Sequence, residues 1–520
     1  MTRLTIDGVA VEVPDGASVL DAARAMGLDI PALCKHGDFP PNTSCMCCLV
    51  KVDGAAAPVP SCATTVREGM RIESETEEIR ALRRTGLELL LGDHAGDCKA
   101  PCENTCPARM DIPDMLRHVV EGDYRTALEV VKQDIAIPAI LGRVCPEVCE
   151  NACRRGQHDS PAAICKIKRF VADRDLASPT PYTPELAAPT GKRVAIVGGG
   201  PTGLTAAYHL AQRGHRCTIV EREPELGGRL RREFPPEELP RDVLAAEINA
   251  VLSVGVETRT ATPIAASEQL DALAEEFDAV LLACGKNDKG WLAGVGVAAG
   301  GSGAKVDPAT RRTSRERVFA AGNAVRSYKL VVQSVAEGKL GAECVDSFLT
   351  SRPLPDRRRA FESRLARMTA GELCDFCEGA PIAPRAETSA LVGDVSDEVV
   401  QLEASRCLHC DCEALENCLL HHYAEQYDCD ARRFAGPGQQ YRGRLEGRGV
   451  QLEIGKCIAC GICVQIAAAT PDAGGLALWG RSTAIRVAPP EGVSLEAALG
   501  SSARRCAEAC PTGAITVDAC

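Results

Sequence analysis

Twenty-eight cysteines among 520 residues fall into spaced groups, and thiolates are the ligands of zinc and of iron-sulfur clusters. Cys34, Cys45, Cys48 and Cys62 follow C-x10-C-x2-C-x13-C, with Cys47 a bystander between them. Cys98, Cys102 and Cys106 form a second run, answered by Cys145, Cys149 and Cys153 and then by Cys165. Cys407, Cys410, Cys412 and Cys418 are spaced C-x2-C-x-C-x5-C, close enough to enclose one 4Fe-4S cube or one zinc. In a chain so rich in such groups the cube is favoured. Cys457, Cys460 and Cys463 with the remote Cys510-Pro511 follow the 4Fe-4S pattern of bacterial ferredoxins. Disulfides would need an oxidising compartment, and the strand-like MTRLTIDGVAVEV start does not resemble a secretory signal. Cys374-x2-Cys377, Cys429 and Cys506 remain without a set.

A second kind of chemistry sits in Arg193 to Glu221, RVAIVGGGPTGLTAAYHLAQRGHRCTIVE. An apolar strand, a glycine turn, an amphipathic helix and a strand ending in an acid make a nucleotide-binding βαβ unit. Gly198, Gly200 and Gly203 serve the turn, the approach of backbone to pyrophosphate and the helix-strand contact. The helix they open offers free N–H groups to phosphate, and Glu221 stands where an acid accepts from ribose hydroxyls. Gly227 and Gly228 of an LGG turn, DAVLLACG ending at Gly285, and VFAAGNAV with Gly322 and Asn323 extend the site. A short helix in KLVVQSVAEGKLGA would aim its N-terminus at a bound ring system.

The elements that must hold these groups are partly legible. Thr2 to Val13 alternates around Asp7-Gly8 as a hairpin, and Ser18 caps a helix that stops at Gly27. Four prolines between Pro179 and Pro189 form a linker into the nucleotide domain. The arginine run at 357–359 reads as a solvated face. A net charge of -12 argues against nucleic acid as partner. No apolar run reaches the length of a membrane span, so the protein is expected to be soluble and cytoplasmic. With only 3% aromatic residues, the core rests on Ala, Val and Leu, and clusters would act as covalent staples.

The words IPALCKHGDFPPNTSCMCCLVKVDG and PSCATTV resemble the 2Fe-2S domain of the large iron-sulfur subunit of respiratory NADH-quinone oxidoreductase and of related hydrogenases. That resemblance implies a 2Fe-2S cluster on Cys34, Cys45, Cys48 and Cys62. The next motif of that subunit is His-x3-Cys-x2-Cys-x5-Cys, which His94-x3-Cys98 begins and then leaves. CKAPCENTCPARMDIPDM, GRVCPEVCENACRR and AAICKIKRFVADRD resemble the helical double-cluster domain of glutamate synthase small subunits and dihydropyrimidine dehydrogenase. It implies one 4Fe-4S cluster from Cys98, Cys102 and Cys153 with His94 where a cysteine is usual. The other would take Cys106, Cys145 and Cys149, with Cys165 as candidate fourth ligand, although the family position lies nearer Arg169. The glycine motifs resemble the FAD-binding half of the same family, with Gly322 and Asn323 near the flavin where Gly-Asp is usual. Relatives using NAD(P)H insert a second βαβ domain after DAVxxAxG, whereas Gly285 to Arg317 is too short for one. Gly294 to Ala299 mimics G-x-G-x-x-A, but the glycines after it preclude a helix. The tail resembles the ferredoxin-like segment of the respiratory subunit.

The expected fold is therefore multidomain α+β and α/β. A β-grasp 2Fe-2S ferredoxin (1–80) precedes a helical domain with two 4Fe-4S clusters (81–180) and a Rossmann-like FAD domain lacking the NAD(P) insert (181–352). A linker and Cys407–Cys418 segment (353–445) and a ferredoxin-like 4Fe-4S domain (446–520) complete it. The expected function is an electron-transfer subunit carrying FAD, one 2Fe-2S and about four 4Fe-4S clusters. Partners would be an FMN-containing NADH-oxidising module, formate dehydrogenase, hydrogenase, another low-potential reductase or ferredoxin. The alternatives are a self-sufficient NAD(P)H oxidoreductase and a zinc-stabilised scaffold.

Overall fold

A computed structural model describes residues 1–517 apart from 38, 287–288, 355–360, 392, 394, 437–439 and 482–483. The arginine run at 357–359 lies outside the described residues. The chain forms two compact units, each assembled from separated segments.

The first unit comprises Met1–Lys99, Arg358–Glu378 and Cys410–Cys520. Its five-stranded sheet has the order Val9–Val13, Thr2–Ile6, Arg71–Glu73, Leu49–Val52, Val59–Pro60. The expected hairpin pairs Thr2 with Val13 and Ile6 with Val9, turning through Asp7 and Gly8 at φ 50° and 80°. Ser18 and Asp21 form a capping box for Val19–Ala25, and Leu4, Ile6, Leu20 and Ile72 close the core beneath. A smaller antiparallel sheet joins Arg444–Gly447, Val450–Glu453 and Ile515–Val517.

Helix Glu77–Asp93 belongs to this unit and does not open a separate helical domain at residue 81. The reason is packing: Leu87 and Leu91 are buried in one core with Cys34, Cys98, Cys460, Ile466 and Ile515. Arg83 in the same helix is fully buried and donates to the Leu49 carbonyl and to the Tyr427 hydroxyl.

The second unit comprises Ala100–Arg357 and Gly379–His409. Helices Ile112–Val120, Tyr124–Lys132, Pro138–Val144 and Ile164–Leu176 precede a parallel sheet. Its order is Val318–Ala320, Ala279–Leu282, Arg193–Val197, Arg216–Val220, Glu257–Arg259. The chain reversal beside the first strand opens the crevice where α/β sheets bind ligands. Val331–Thr350, expected as a short helix, runs 20 residues. It lies against Pro201–Gln212 so closely that a Cβ at Gly338 would come within 2.8 Å of Thr205 Cβ.

The segment after Gly285 folds as a cap, not as a second nucleotide domain. Leu292, Val295 and Val297 bury themselves against Val280, Leu282 and Val318 of the sheet. The G-x-G-x-x-A mimic there runs into an Ala299–Ala304 bridge. Among the described residues no helix is long and apolar enough to cross a membrane.

Candidate functional site

The nucleotide cradle is built by missing side chains. Gly198 has φ 112°, and a Cβ there would stand 2.6 Å from the Ala283 carbonyl oxygen. At Gly203 a Cβ would strike the Gly198 carbonyl oxygen, whereas at Gly200 the nearest atom would be Gly228 Cα at 3.9 Å. The space above Gly200 at the start of helix Pro201–Gln212 is thus open to a pyrophosphate. Gly227 and Gly228 both have positive φ, and Gly228 approaches Gly200 across the turn. Glu221 is buried and accepts from the backbone N–H groups of Gly199 (2.6 Å) and Glu223 (3.0 Å). Gly198, Gly200, Glu221, Gly228 and Asn323 line one crevice with Arg222, Arg229 and Trp291. These residues fit an FAD pyrophosphate and ribose.

The far side of the crevice shows what sequence alone misses. Asn323 donates to the Tyr328 carbonyl and accepts from its N–H, both at 3.2 Å, so its side chain pins its own loop. Gly322 has φ 64°, and its N–H points to Glu337 Oε2 at 3.3 Å. Glu337 is buried and also takes hydrogen bonds from Arg311 and the Tyr328 hydroxyl, each at 2.9 Å. A glutamate inside the apolar run VVQSVAEGKLG was the only sequence signal for it.

In the same unit Cys106, Cys145, Cys149 and Cys165 converge around the buried ammonium of Lys168. Burial works against that charge, and the four sulfurs outweigh it and hold the Lys168 pKa above the ordinary lysine value. Cys165 is one helical turn from Lys168 in Ile164–Leu176, which places both on one face. Cys145 caps helix Pro138–Val144, and the Cys165 thiol approaches the Leu141 carbonyl at 3.6 Å. Glu150 accepts from the Cys165 N–H at 2.9 Å and binds Arg385 at 2.6 Å. Burial pushes the Cys149 thiol up to about 12. Such a thiol stays neutral until a metal replaces its proton. Cys102 lies in Pro101–Thr105, a helix packed on the turn Glu150–Ala152 that ends at Cys153. Cys407 is half-buried just beyond helix Asp397–Ala404.

The first unit holds the remaining thiols. Cys34 and Cys45 sulfurs lie 3.4 Å apart, and Cys62 neighbours both Cys34 and Cys48. Sulfur-sulfur hydrogen bonding holds the Cys34 thiol low and the Cys45 thiol high, as expected of sulfurs gathered on one centre. Cys47 is buried with its thiol donating to the Cys45 carbonyl. Cys457, Cys460, Cys463 and Cys510 line one small cavity between Leu452, Ile462 and Ile515. Burial pushes Cys460 up to about 12, and the charges of Cys510, Cys457 and Cys34 add to the effect. Cys506 is buried beside this set with its thiol toward the Cys463 carbonyl. Cys410 is half-buried, and Cys429 points to the Arg84 carbonyl at 3.9 Å.

Burial pushes Cys98 up to about 12, and its charged neighbours include Cys412 and Cys418. His94, whose burial lowers its pKa to about 4, rests Nδ1 at 3.2 Å from the Lys456 carbonyl. Among the described residues no group of three His, Cys, Asp or Glu side chains is drawn together as a single-ion site.

Comparison with known proteins agrees with this division of labour. Residues 1–77 match a 2Fe-2S iron-sulfur cluster binding domain. Residues 94–179 match domain II of dihydropyrimidine dehydrogenase, a 4Fe-4S cluster domain, and 163–338 match pyridine nucleotide-disulphide oxidoreductase. The NADP(+)-dependent formate dehydrogenase subunit beta of Moorella thermoacetica is 40% identical over 207 residues, covering 36% of this chain and 29% of that protein. The NADPH-Fe(3+) oxidoreductase subunit beta of Geobacter sulfurreducens is 38% identical over 36% of this chain and 28% of its own length. A homolog of the NAD-dependent dihydropyrimidine dehydrogenase subunit PreT from Salmonella typhi is 34% identical over 36% of this chain and 45% of its own. The chain thus spans less than half the length of these relatives. With the nucleotide cradle and the gathered thiols, these matches make the chain an iron-sulfur oxidoreductase whose segments are similar to a 2Fe-2S domain, to domain II of dihydropyrimidine dehydrogenase and to pyridine nucleotide-disulphide oxidoreductase.

Proposed function

We propose that this chain is the electron-transfer subunit of a multi-subunit oxidoreductase, exchanging electrons between FAD, one 2Fe-2S and about four 4Fe-4S clusters, and partner redox subunits. The observation that carries this reading is the cap at 285–317, where Leu292, Val295 and Val297 cover the sheet in place of a second nucleotide domain. Bound FAD takes electrons in pairs and releases them singly, whereas each cluster carries one. The residues of the chain bind, orient and tune these groups, and the hydride chemistry belongs to a partner.

Neighbouring thiol sets support a relay. In the first unit Cys34 of one set raises the Cys460 thiol of another, and Cys418 lies within the influence of Cys510. Asn42, in the loop after Cys34, donates to the Cys460 carbonyl at 2.6 Å and ties the two loops together. Partners of matching chemistry are an FMN-containing NADH-oxidising module, formate dehydrogenase, hydrogenase or ferredoxin. A second reading, a self-sufficient NAD(P)H oxidoreductase, draws on the pyridine nucleotides named in all three relatives.

Native copurification under anaerobic conditions tests the proposal. A complex with a second redox subunit, whose donor reduces the FAD of this chain only when that subunit is present, is the expected result. A monodisperse chain that turns over NADH or NADPH alone would overturn it.

A further inference from the structure

The cap that stands where a second nucleotide domain would be contributes one large aromatic ring to the nucleotide crevice. Trp291 lies on helix Lys289–Gly294 and lines the crevice with Glu221, Arg222, Thr262 and Ile264. Its neighbours in the cap fix it in place. Leu292 and Val295 are buried against the sheet, and Arg315 donates to the Val295 carbonyl at 2.8 Å and to Ser267 Oγ at 3.0 Å. The Trp291 Nε1–H donates to the Ile264 carbonyl at 2.9 Å, so the indole spends its one polar group on backbone and its ring is held. A ring fixed in this way loses little further freedom when a flat ligand binds against it.

Backbone hydrogen bonding ties this ring to the ribose end of the cradle. The Glu221 carbonyl accepts from the Thr262 N–H at 2.9 Å, and Ile264, two residues further on, is the residue that holds the indole. Glu221 follows strand Arg216–Val220, the place where an acid meets ribose hydroxyls, and the open space over Gly200 at the helix start suits the pyrophosphate. In a dinucleotide the adenine is joined to the ribose on the side away from the pyrophosphate. The order Gly200, Glu221, Trp291 therefore matches pyrophosphate, ribose and base. We propose that Trp291 is the adenine platform of the FAD site, a stacking surface supplied by the cap at 285–317; the assignment rests on the FAD reading given above.

The cap thus covers the sheet with Leu292, Val295 and Val297 and the bound base with Trp291. An indole offers a base its π-face, which an aliphatic side chain of similar bulk does not, and such stacking is worth about tenfold or more in affinity. Asn323 and Ser334 line the crevice from other segments of the chain, so a change at Trp291 acts on the adenine half of the cofactor.

The sequence holds 2 tryptophans, and Trp479 is 42% exposed in the first unit, so tryptophan fluorescence reads Trp291 against a constant reference. The full chain, purified anaerobically with its clusters and then freed of flavin, is titrated with ADP, which carries adenine, ribose and pyrophosphate without the flavin ring. ADP should quench the emission of the unaltered chain and leave that of Trp291→Phe unchanged. Trp291→Phe keeps an aromatic face and should hold FAD with close to the unaltered affinity. Trp291→Leu keeps an apolar side chain and loses the face, and it should weaken FAD and ADP alike by about tenfold at unchanged iron content. The ADP titration of the unaltered chain decides even where Trp291→Leu fails to fold. Binding of ADP without a change in emission, or a Trp291→Leu chain that holds FAD as tightly as the unaltered one, would overturn the assignment while leaving the FAD reading in place. A chain that takes up neither FAD nor ADP would overturn both.

Discussion

Glu247 holds Ile140 by its backbone: the Ile140 N–H donates to Glu247 Oε2 at 2.6 Å, and the adjacent Ala139 N–H to Oε1 at 2.7 Å. Glu247 lies on helix Arg241–Leu252 of the nucleotide-binding half, and Pro138–Val144 is the helix capped by Cys145. A buried carboxyl at a helix N-terminus thereby ties the helix that ends at Cys145 to helix Arg241–Leu252. Glu247→Ala should cost about 2–4 kcal/mol of stability, since two buried donors lose their acceptor. Denaturant unfolding followed by flavin fluorescence measures it.

The same group sets a pH dependence. Burial pushes Glu247 up to about 7, against the pull of Lys132 and the two N–H donors. Its folded pKa exceeds the unfolded one, so the folded state takes up the proton more readily. That contribution is complete at acid pH below the usual carboxylate range and is lost as pH rises through about 7. The melting temperature should therefore fall from pH 6 to pH 8, as the unfolding free energy drops by at most about 1.4 kcal/mol per pH unit below neutrality. Glu247→Gln should flatten this slope, and an unchanged profile would contradict the assignment.

Lys168 places a positive charge among Cys106, Cys145, Cys149 and Cys165. Adding an electron to a cluster there is favoured by an unneutralised cation. Lys168→Met should lower the potential of that one cluster by on the order of 100 mV, the effect of one charge at intermediate dielectric. A redox titration monitored by electron paramagnetic resonance reads the shift directly, and no change would show that water screens the lysine.

Gly203→Ala tests the cradle. A Cβ there meets the Gly198 carbonyl oxygen, which must move for the helix to keep its place. Flavin content per chain should fall at least about tenfold, the effect of about 1.4 kcal/mol or more, while iron content stays unchanged. Flavin absorbance and iron analysis on the same sample separate the two.

Asn323→Asp would place an acceptor against the Tyr328 carbonyl where the amide now donates. About 1–3 kcal/mol of loop stability should be lost, and the added negative charge should lower the flavin potential. A spectroelectrochemical titration that found a higher potential would contradict this.

What the sequence made legible was local. The Asp7-Gly8 hairpin, the Ser18 cap and the glycine fingerprint are set by residues within a few positions of one another, so propensity and geometry agree. That Cys98 would sit within the electrostatic reach of Cys412 and Cys418, from another third of the chain, was not legible. The packing of helix Glu77–Asp93 was not legible for a similar reason: Leu87 and Leu91 look like any amphipathic helix face until their core is known. Lys168, Glu247 and Glu337 read as helix-surface charges, and only their burial reveals them.

Anaerobic titration of the isolated chain with NADH and with NADPH tests the central claim most directly. The FAD should remain oxidised over many minutes with either nucleotide and bleach promptly when a chemical reductant or a reduced low-potential partner is added. Prompt bleaching by NADH or NADPH alone would contradict it and make the chain a self-sufficient nucleotide oxidoreductase.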